Sequence, residues 1–223
     1  MLEKLSDREL ARQILRELKW DSRIGWSGIE VAVDNGVVTL TGTVSSYAKR
    51  VAAQEAAHLV PGVLDVANDI QVKPVGAFIR TDTDIAKAVR NALEWDALID
   101  NERIQSTVSD GWVTLEGDVD FWREREDAER AILRLAGVVG VINKTKIQER
   151  PVDPEEIREQ IEFALERRAD REAERLRVDV KDGAVDLWGR VHSWQEKRAV
   201  IGSIGHAPGV TQVRDHLQID PYF

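Results

Sequence analysis

The side chains able to do chemistry in this sequence are few and scattered. Cysteine is absent, which removes thiolate nucleophiles, disulfides, cysteine-ligated zinc and lipid attachment through sulfur. The four histidines, His58, His192, His206 and His216, form no close metal-ligand spacing. Forty carboxylates put acidic pairs on almost any helix face, so proximity alone identifies no general acid or base. The densest run, Arg123, Glu124, Arg125, Glu126, Asp127, Glu129 and Arg130, reads as a solvated, salt-bridged helix face. No nucleophile elbow, phosphate loop or dinucleotide fingerprint is present. The expectation is no catalytic residue, no metal and no cofactor, hence not an enzyme.

Charge narrows the partners. Lys plus Arg number 31 against 40 Asp plus Glu, a formal charge of −9. Nucleic-acid binding relies on neutralised phosphates, so no nucleic-acid partner is expected. The amino-terminal stretch MLEKLSDRELARQILRELKW carries charges every few residues and reads as neither a secretory signal nor a transmembrane segment. With Met1 as the start the chain is expected in the cytoplasm; with a leader already removed, in the periplasm.

Aromatic and basic residues remain as binding candidates. Tyr47, Trp122 and Trp194 share one place just inside a helix, off its apolar stripe, and are expected to face outward. Two readings stay open: the copies of the repeat pack on one another through them, which is favoured, or they meet an external partner or lipid. Trp20 and Trp95 end two equivalent helices and are expected to cap the local core, with Arg167 in their place in the third copy. Arg167, Arg168, Arg171, Arg175 and Arg177 are expected in the loop before the third hairpin, interleaved with Glu166, Asp170, Glu172 and Glu174. They form a charge-balanced segment or, on the sharper reading, a phosphate or headgroup patch built on Arg167, Arg168, Arg171 and Arg175.

What positions these residues is a repeat. DNGVVTLTGTV (34–44) recurs as SDGWVTLEGDV (109–119) and KDGAVDLWGRV (181–191). Gly36, Gly111 and Gly183 are offset by 75 and 72 residues, and the same offsets relate Gly42, Gly117 and Gly189, and Gly62, Gly137 and Gly209. The copies span 1–75, 76–150 and 151–223, with formal charges of −1, −4 and −4.

Each copy opens with a capped helix. Ser6 with Glu9, Thr81 with Asp84 and Asp153 with Glu156 mark the caps, and Pro154 suits the first helical position. Leu10, Ile14 and Leu18 form its apolar stripe, matched by Ile85, Val89 and Leu93 and by Ile157, Ile161 and Leu165. A hairpin turns at Asn35-Gly36, Asp110-Gly111 and Asp182-Gly183. Gly42, Gly117 and Gly189 mark a bulge or a close helix approach. A second helix follows near residues 46–60, and Gly202 with Gly205 predicts the weakest second helix in the third copy. A last strand alternates Val66, Asn68, Ile70 and Val72. The fold class is α+β: three tandem α-β-β-α-β units, each a three-stranded sheet with two helices on one face.

Gly36, Val38, Leu40, Gly42, Pro61-Gly62-Val63, Val66 and Asn68, with their equivalents, resemble the BON domain, named for bacterial OsmY and nodulation proteins. Copy two departs with Ala136 at the proline position and copy three with Asp215 at the asparagine. The resemblance implies a non-enzymatic module tied to osmotic or envelope stress. It implies a protein partner or self-association, or alternatively a phospholipid surface.

Overall fold

The computed structural model describes residues 5–25, 28–148, 153–168 and 176–221. The first copy runs α1 (Asp7–Trp20), β1 (Ile29–Asp34), β2 (Val37–Val44), α2 (Tyr47–His58), β3 (Asp65–Asn68) and β4 (Gln71–Val72). The second runs α3 (Asp82–Trp95), β5 (Ile104–Ser109), β6 (Trp112–Val119), α4 (Trp122–Leu133), β7 (Gly140–Asn143) and β8 (Lys146–Ile147). The third runs α5 (Pro154–Arg168), β9 (Arg177–Lys181), β10 (Ala184–Val191), α6 (Trp194–Gly205) and β11 (Gln212–Ile219).

The first helices start where their side chains cap them. Ser6 Oγ accepts from the Glu9 N–H while the Glu9 carboxylate accepts from the Ser6 N–H, and Thr81 and Asp84 repeat the arrangement. Behind the caps Leu10, Ile14 and Leu18 are buried, as are Ile85, Val89 and Leu93 in the second copy and Ile157 and Ile161 in the third. The Leu165 side chain lies outside the described residues. Each copy thereby builds its own hydrophobic core between two helices and one sheet face.

The hairpins turn through left-handed pairs: Asn35 and Gly36 have φ of 49° and 81°, and Asp110-Gly111 and Asp182-Gly183 match them. One support of these turns lies outside the sequence reading. The Asp7 carboxylate accepts from the Asn35 and Gly36 N–H groups at 2.9 and 3.1 Å. Asp82 does the same for Asp110 and Gly111, both at 2.9 Å. Pro154 stands at this position in the third copy.

The middle strand organises each sheet. β2 pairs antiparallel with β1 and parallel with β3, and the other copies follow the same order. At Gly42 an added Cβ would sit 1.9 Å from the Gly28 carbonyl oxygen, and at Gly117 2.0 Å from that of Arg103. The close neighbour at these glycines is thus the backbone leading into the adjacent strand, not a helix. The last strand is interrupted in copies one and two, whose halves both pair with the middle strand; β11 is continuous. The Asn68 side chain accepts from the Ile70 N–H at 3.3 Å at the break, and Asp215 accepts from the Leu217 N–H at 2.9 Å within the continuous β11, so this local bond does not by itself interrupt the ladder.

The second helix is tied to this strand by a paired exchange of residues. Asn68 Nδ2 donates to the Arg50 carbonyl at 3.0 Å and Arg50 donates to the Asn68 carbonyl at 2.8 Å. Asn143 and Arg125 repeat the clasp. In the third copy Asp215 replaces the asparagine and Lys197 the arginine, and the two form an ion pair at 2.7 Å. The departure at Asp215 is therefore compensated. Gly202 and Gly205 do not shorten α6, which has the same twelve residues as α2 and α4. Among the described residues no helix is long and apolar enough to cross a membrane.

Candidate functional site

The amino-terminal aromatic of each second helix lies against the next copy. Tyr47, first residue of α2, packs on the core of the second copy and is hydrogen-bonded to the backbone of Val141. Burial, with Glu129 nearby, raises its phenol pKa. Trp122, first residue of α4, covers Gly205 of the third copy, where an added Cβ would lie 2.9 Å from the indole. Its Nε1 donates to Glu126 at 3.1 Å, and Glu126 faces His206 at 3.7 Å. Trp194, first residue of α6, returns to the first copy and stacks on His58, with centroids 4.0 Å apart and planes within 17°. The contacts run from copy one to two, two to three and three back to one. The order closes.

This explains a glycine that helix propensity alone makes unfavourable. A Cβ at Gly205 would intrude on the Trp122 ring, so the helix gives up about 1 kcal/mol of propensity for a close contact. Gly202 has open space around its Cβ position, and no contact in the structure explains it.

The joint between copies three and one has its own electrostatics. His58 is 6% exposed, and Arg198 donates to its Nδ1 at 3.1 Å. Since a guanidinium only donates, Nδ1 must be the bare nitrogen and Nε2 carries the proton. Burial first, and the Arg198 charge second, push the imidazole pKa down to about 4, with Asp65 opposing. His58 Nε2 and Trp194 Nε1 are both buried without a hydrogen-bond partner.

Two expectations require correction. Trp20 and Trp95 do not cap the core: they are 87% and 88% exposed. Leu18 and Leu93 already close the helix ends, so the last residue of each helix points past the sheet into solvent. Arg177 does not sit in a loop; it lies in β9 with its guanidinium 5.3 Å from the Trp188 ring centroid. Of the arginine patch, Arg167 and Arg168 end α5, whose side chains there lie outside the described residues, as do Arg171 and Arg175 altogether.

The histidines are separated and each is engaged. His192 Nδ1 meets the Glu196 carboxylate, which accepts, at 3.3 Å, and His216 meets Asp186 at 3.1 Å beside Trp188. Among the described residues no group of histidines and carboxylates has the geometry to hold a metal ion.

The comparisons with known proteins agree with the repeat. The BON-domain family profile matches residues 6–74, 81–149 and 153–221. The chain is 27% identical over 146 residues to the osmotically-inducible protein Y of Escherichia coli (strain K12), spanning 64% of this chain and 73% of that protein. Among solved structures, the C-terminal domain of CdsD, a structural protein of the type III secretion system of Chlamydia trachomatis, aligns with 97% of this chain and 100% of its own at 12% identity and a TM-score of 0.27. A second CdsD structure aligns with 95% of this chain and 92% of its own at 13% identity and the same TM-score. At that TM-score the likeness carries no argument.

Proposed function

The chain belongs to the BON-domain family, and on that footing we propose that it is a non-enzymatic binding and scaffolding protein acting through protein–protein contacts. The setting proposed is osmotic stress, which the name of its E. coli relative carries. The observation that supports it best is the use of Tyr47, Trp122 and Trp194 at the joints between copies. Three modules joined in a closed order form a body fit to present surfaces, the property a scaffold needs. The scattering of the four histidines over separate contacts supports the non-enzymatic part.

A second reading, a phospholipid-surface protein, is favoured by one observation, the solvent-facing Trp20 and Trp95 at equivalent helix ends. Indole rings suit a membrane interface. The net charge of −9 opposes approach to anionic lipid. The stretch Arg167, Arg168, Arg171 and Arg175 belongs to this reading as its headgroup patch.

Co-sedimentation with phosphatidylglycerol–phosphatidylethanolamine vesicles separates the two. On the scaffold reading the full chain stays in the supernatant at physiological salt, and a photo-reactive residue at position 95 cross-links to protein in the native cell. Salt-resistant sedimentation abolished by Trp20→Ala with Trp95→Ala would overturn it in favour of lipid.

A further inference from the structure

Each sheet packs its helices on one face and turns the other to solvent, and these outer faces differ in charge from copy to copy. One row of three cross-strand neighbours shows it. In the first copy the row is Glu30, Thr41 and Asp69, and in the second Gln105, Glu116 and Lys144. In the third it is Arg177, Trp188 and His216. The acids at both ends of the row in copy one are thus replaced by a guanidinium and an imidazole in copy three.

The third row is a ridge. Trp188 stands on the middle strand, with the Arg177 guanidinium 5.3 Å from its ring centroid and the His216 ring 5.2 Å away and within 12° of parallel. Arg177 and Lys181, exposed on the edge strand β9, make no ion pair with a described residue. Arg214 pairs with Asp186 at 3.3 Å, and Arg190 with Asp220 at 3.5 Å. With Asp179 the face sets four cations against three carboxylates, before any charge on His216.

The first face is a trough. Its central row, Ala32, Thr39 and Ala67, is small, and the rows on either side end in Glu30 and Asp69 and in Asp34 and Asp65. The four carboxylates are exposed at the corners, and no lysine or arginine stands in these rows. None of them makes an ion pair with a described residue. Asp34 accepts from the Asn35 side chain at 2.9 Å and Asp65 from the Val66 N–H at 2.8 Å. Strand spacing puts the corners about 10 Å apart across the sheet and about 13 Å along it, near enough to repel one another. A cationic partner relieves that repulsion.

We propose that the chain associates with a second copy of itself, the third sheet of one molecule laid on the first sheet of the next. The Trp188 ridge enters the trough of Ala32, Thr39 and Ala67, and Arg177 comes to lie between the two acids at one edge. Ridge and trough each span three strands, about 10 Å, so they match in length. An indole seated in a small-residue trough with acids at its rim combines the fit and the charge complementarity of a specific interface. Two different patches meet, so the contact is heterologous. The proposal rests on the protein-binding reading above and names the partner.

The test is sedimentation equilibrium of the full chain. The average mass is expected to rise with chain concentration and to fall back as salt rises. Glu30→Arg with Asp69→Arg reverses the first face, and Arg177→Glu with Lys181→Glu reverses the third. Each pair should weaken association by about tenfold or more with unchanged far-ultraviolet dichroism. An equimolar mixture of the two variants should associate again, because each then offers the intact face that the other lacks. Trp188→Thr, which places the residue of the first copy in the row, should weaken association without any change of charge. A wild-type mass of one chain at millimolar concentration, association unchanged in both reversed variants, or a mixture that stays monomeric would overturn the proposal. A monomeric chain that still cross-links to other proteins through position 95 in the native cell would remove this interface while leaving the broader protein-binding reading intact.

Discussion

Two joints built from the same residue type at the same position differ in how well their polar atoms are served. At the joint between copies two and three, the Trp122 N–H is donated to Glu126, and the ring rests on a glycine that leaves it room. At the joint between copies three and one, Trp194 stacks on His58, and the outward nitrogen of each ring is buried with no partner. Each unsatisfied buried polar group costs about 1–3 kcal/mol, while an aromatic stack returns about 0.5–1.5 kcal/mol beyond its buried area. The closing joint is therefore the weaker, although its contact is geometrically the better stacked. The ring of copies should open between three and one before it opens between two and three.

Acid gives the largest expected separation of the two. The His58 pKa is held down to about 4, against about 6.5 for a free imidazole. Above pH 6.5 the ring is neutral whether the joint is closed or open, and pH has no leverage. Below it the open form binds a proton that the closed form refuses, so closure loses stability as pH falls from 6.5 toward 4. The full loss is about 3 kcal/mol. X-ray scattering between pH 7 and pH 5 should show a growing radius with unchanged far-ultraviolet dichroism. A radius constant across that range would break the comparison.

Truncation gives the next largest. Trp122→Ala removes a ring whose N–H is satisfied and uncovers Gly205, with an expected loss of about 2 kcal/mol. Trp194→Ala removes a ring but also one of the two orphaned nitrogens, so its expected loss is smaller, about 1 kcal/mol. Melting of both variants at pH 7 checks the order. Equal losses would mean that the orphaned atoms carry no penalty.

The repeat, its caps and its turns were legible because each is local: Ser6 with Glu9, or Asn35 with Gly36, announces its conformation within four residues. The outward direction of Tyr47, Trp122 and Trp194 was legible from helical periodicity, but their partners were not. His58 and Trp194 are 136 residues apart, and nothing in either segment names the other. Trp20 and Trp95 misled because a tryptophan ending an amphipathic helix usually folds back, and here Leu18 and Leu93 leave it nothing to cover. The support of the hairpin by Asp7 and Asp82 left a faint signal, an acid at the first position of both helices. That signal is shared with ordinary helix-dipole placement, so it could not be read as a contact.

The smallest expected effect bears on the imidazole itself. Leu133 holds the position of His58 in the second copy, so an aliphatic side chain is compatible with this place in the fold. His58→Leu removes the buried, unpartnered Nε2 and with it a desolvation cost of about 1–3 kcal/mol. It also removes the acceptor of Arg198, but that guanidinium is exposed and is resolvated at little cost. The aromatic stack on Trp194 is lost, about 0.5–1.5 kcal/mol, and is partly replaced by aliphatic contact with the same ring. The balance favours the variant by about 1 kcal/mol, a rise of roughly 2–4 °C in melting temperature at pH 7 for a chain of this size. The same variant should abolish the opening of the joint between pH 6.5 and pH 5, because it removes the imidazole whose pKa closure depresses. A destabilised His58→Leu protein would show that the His58–Arg198 hydrogen bond outweighs the two orphaned nitrogens, and the closing joint would then be the stronger of the two.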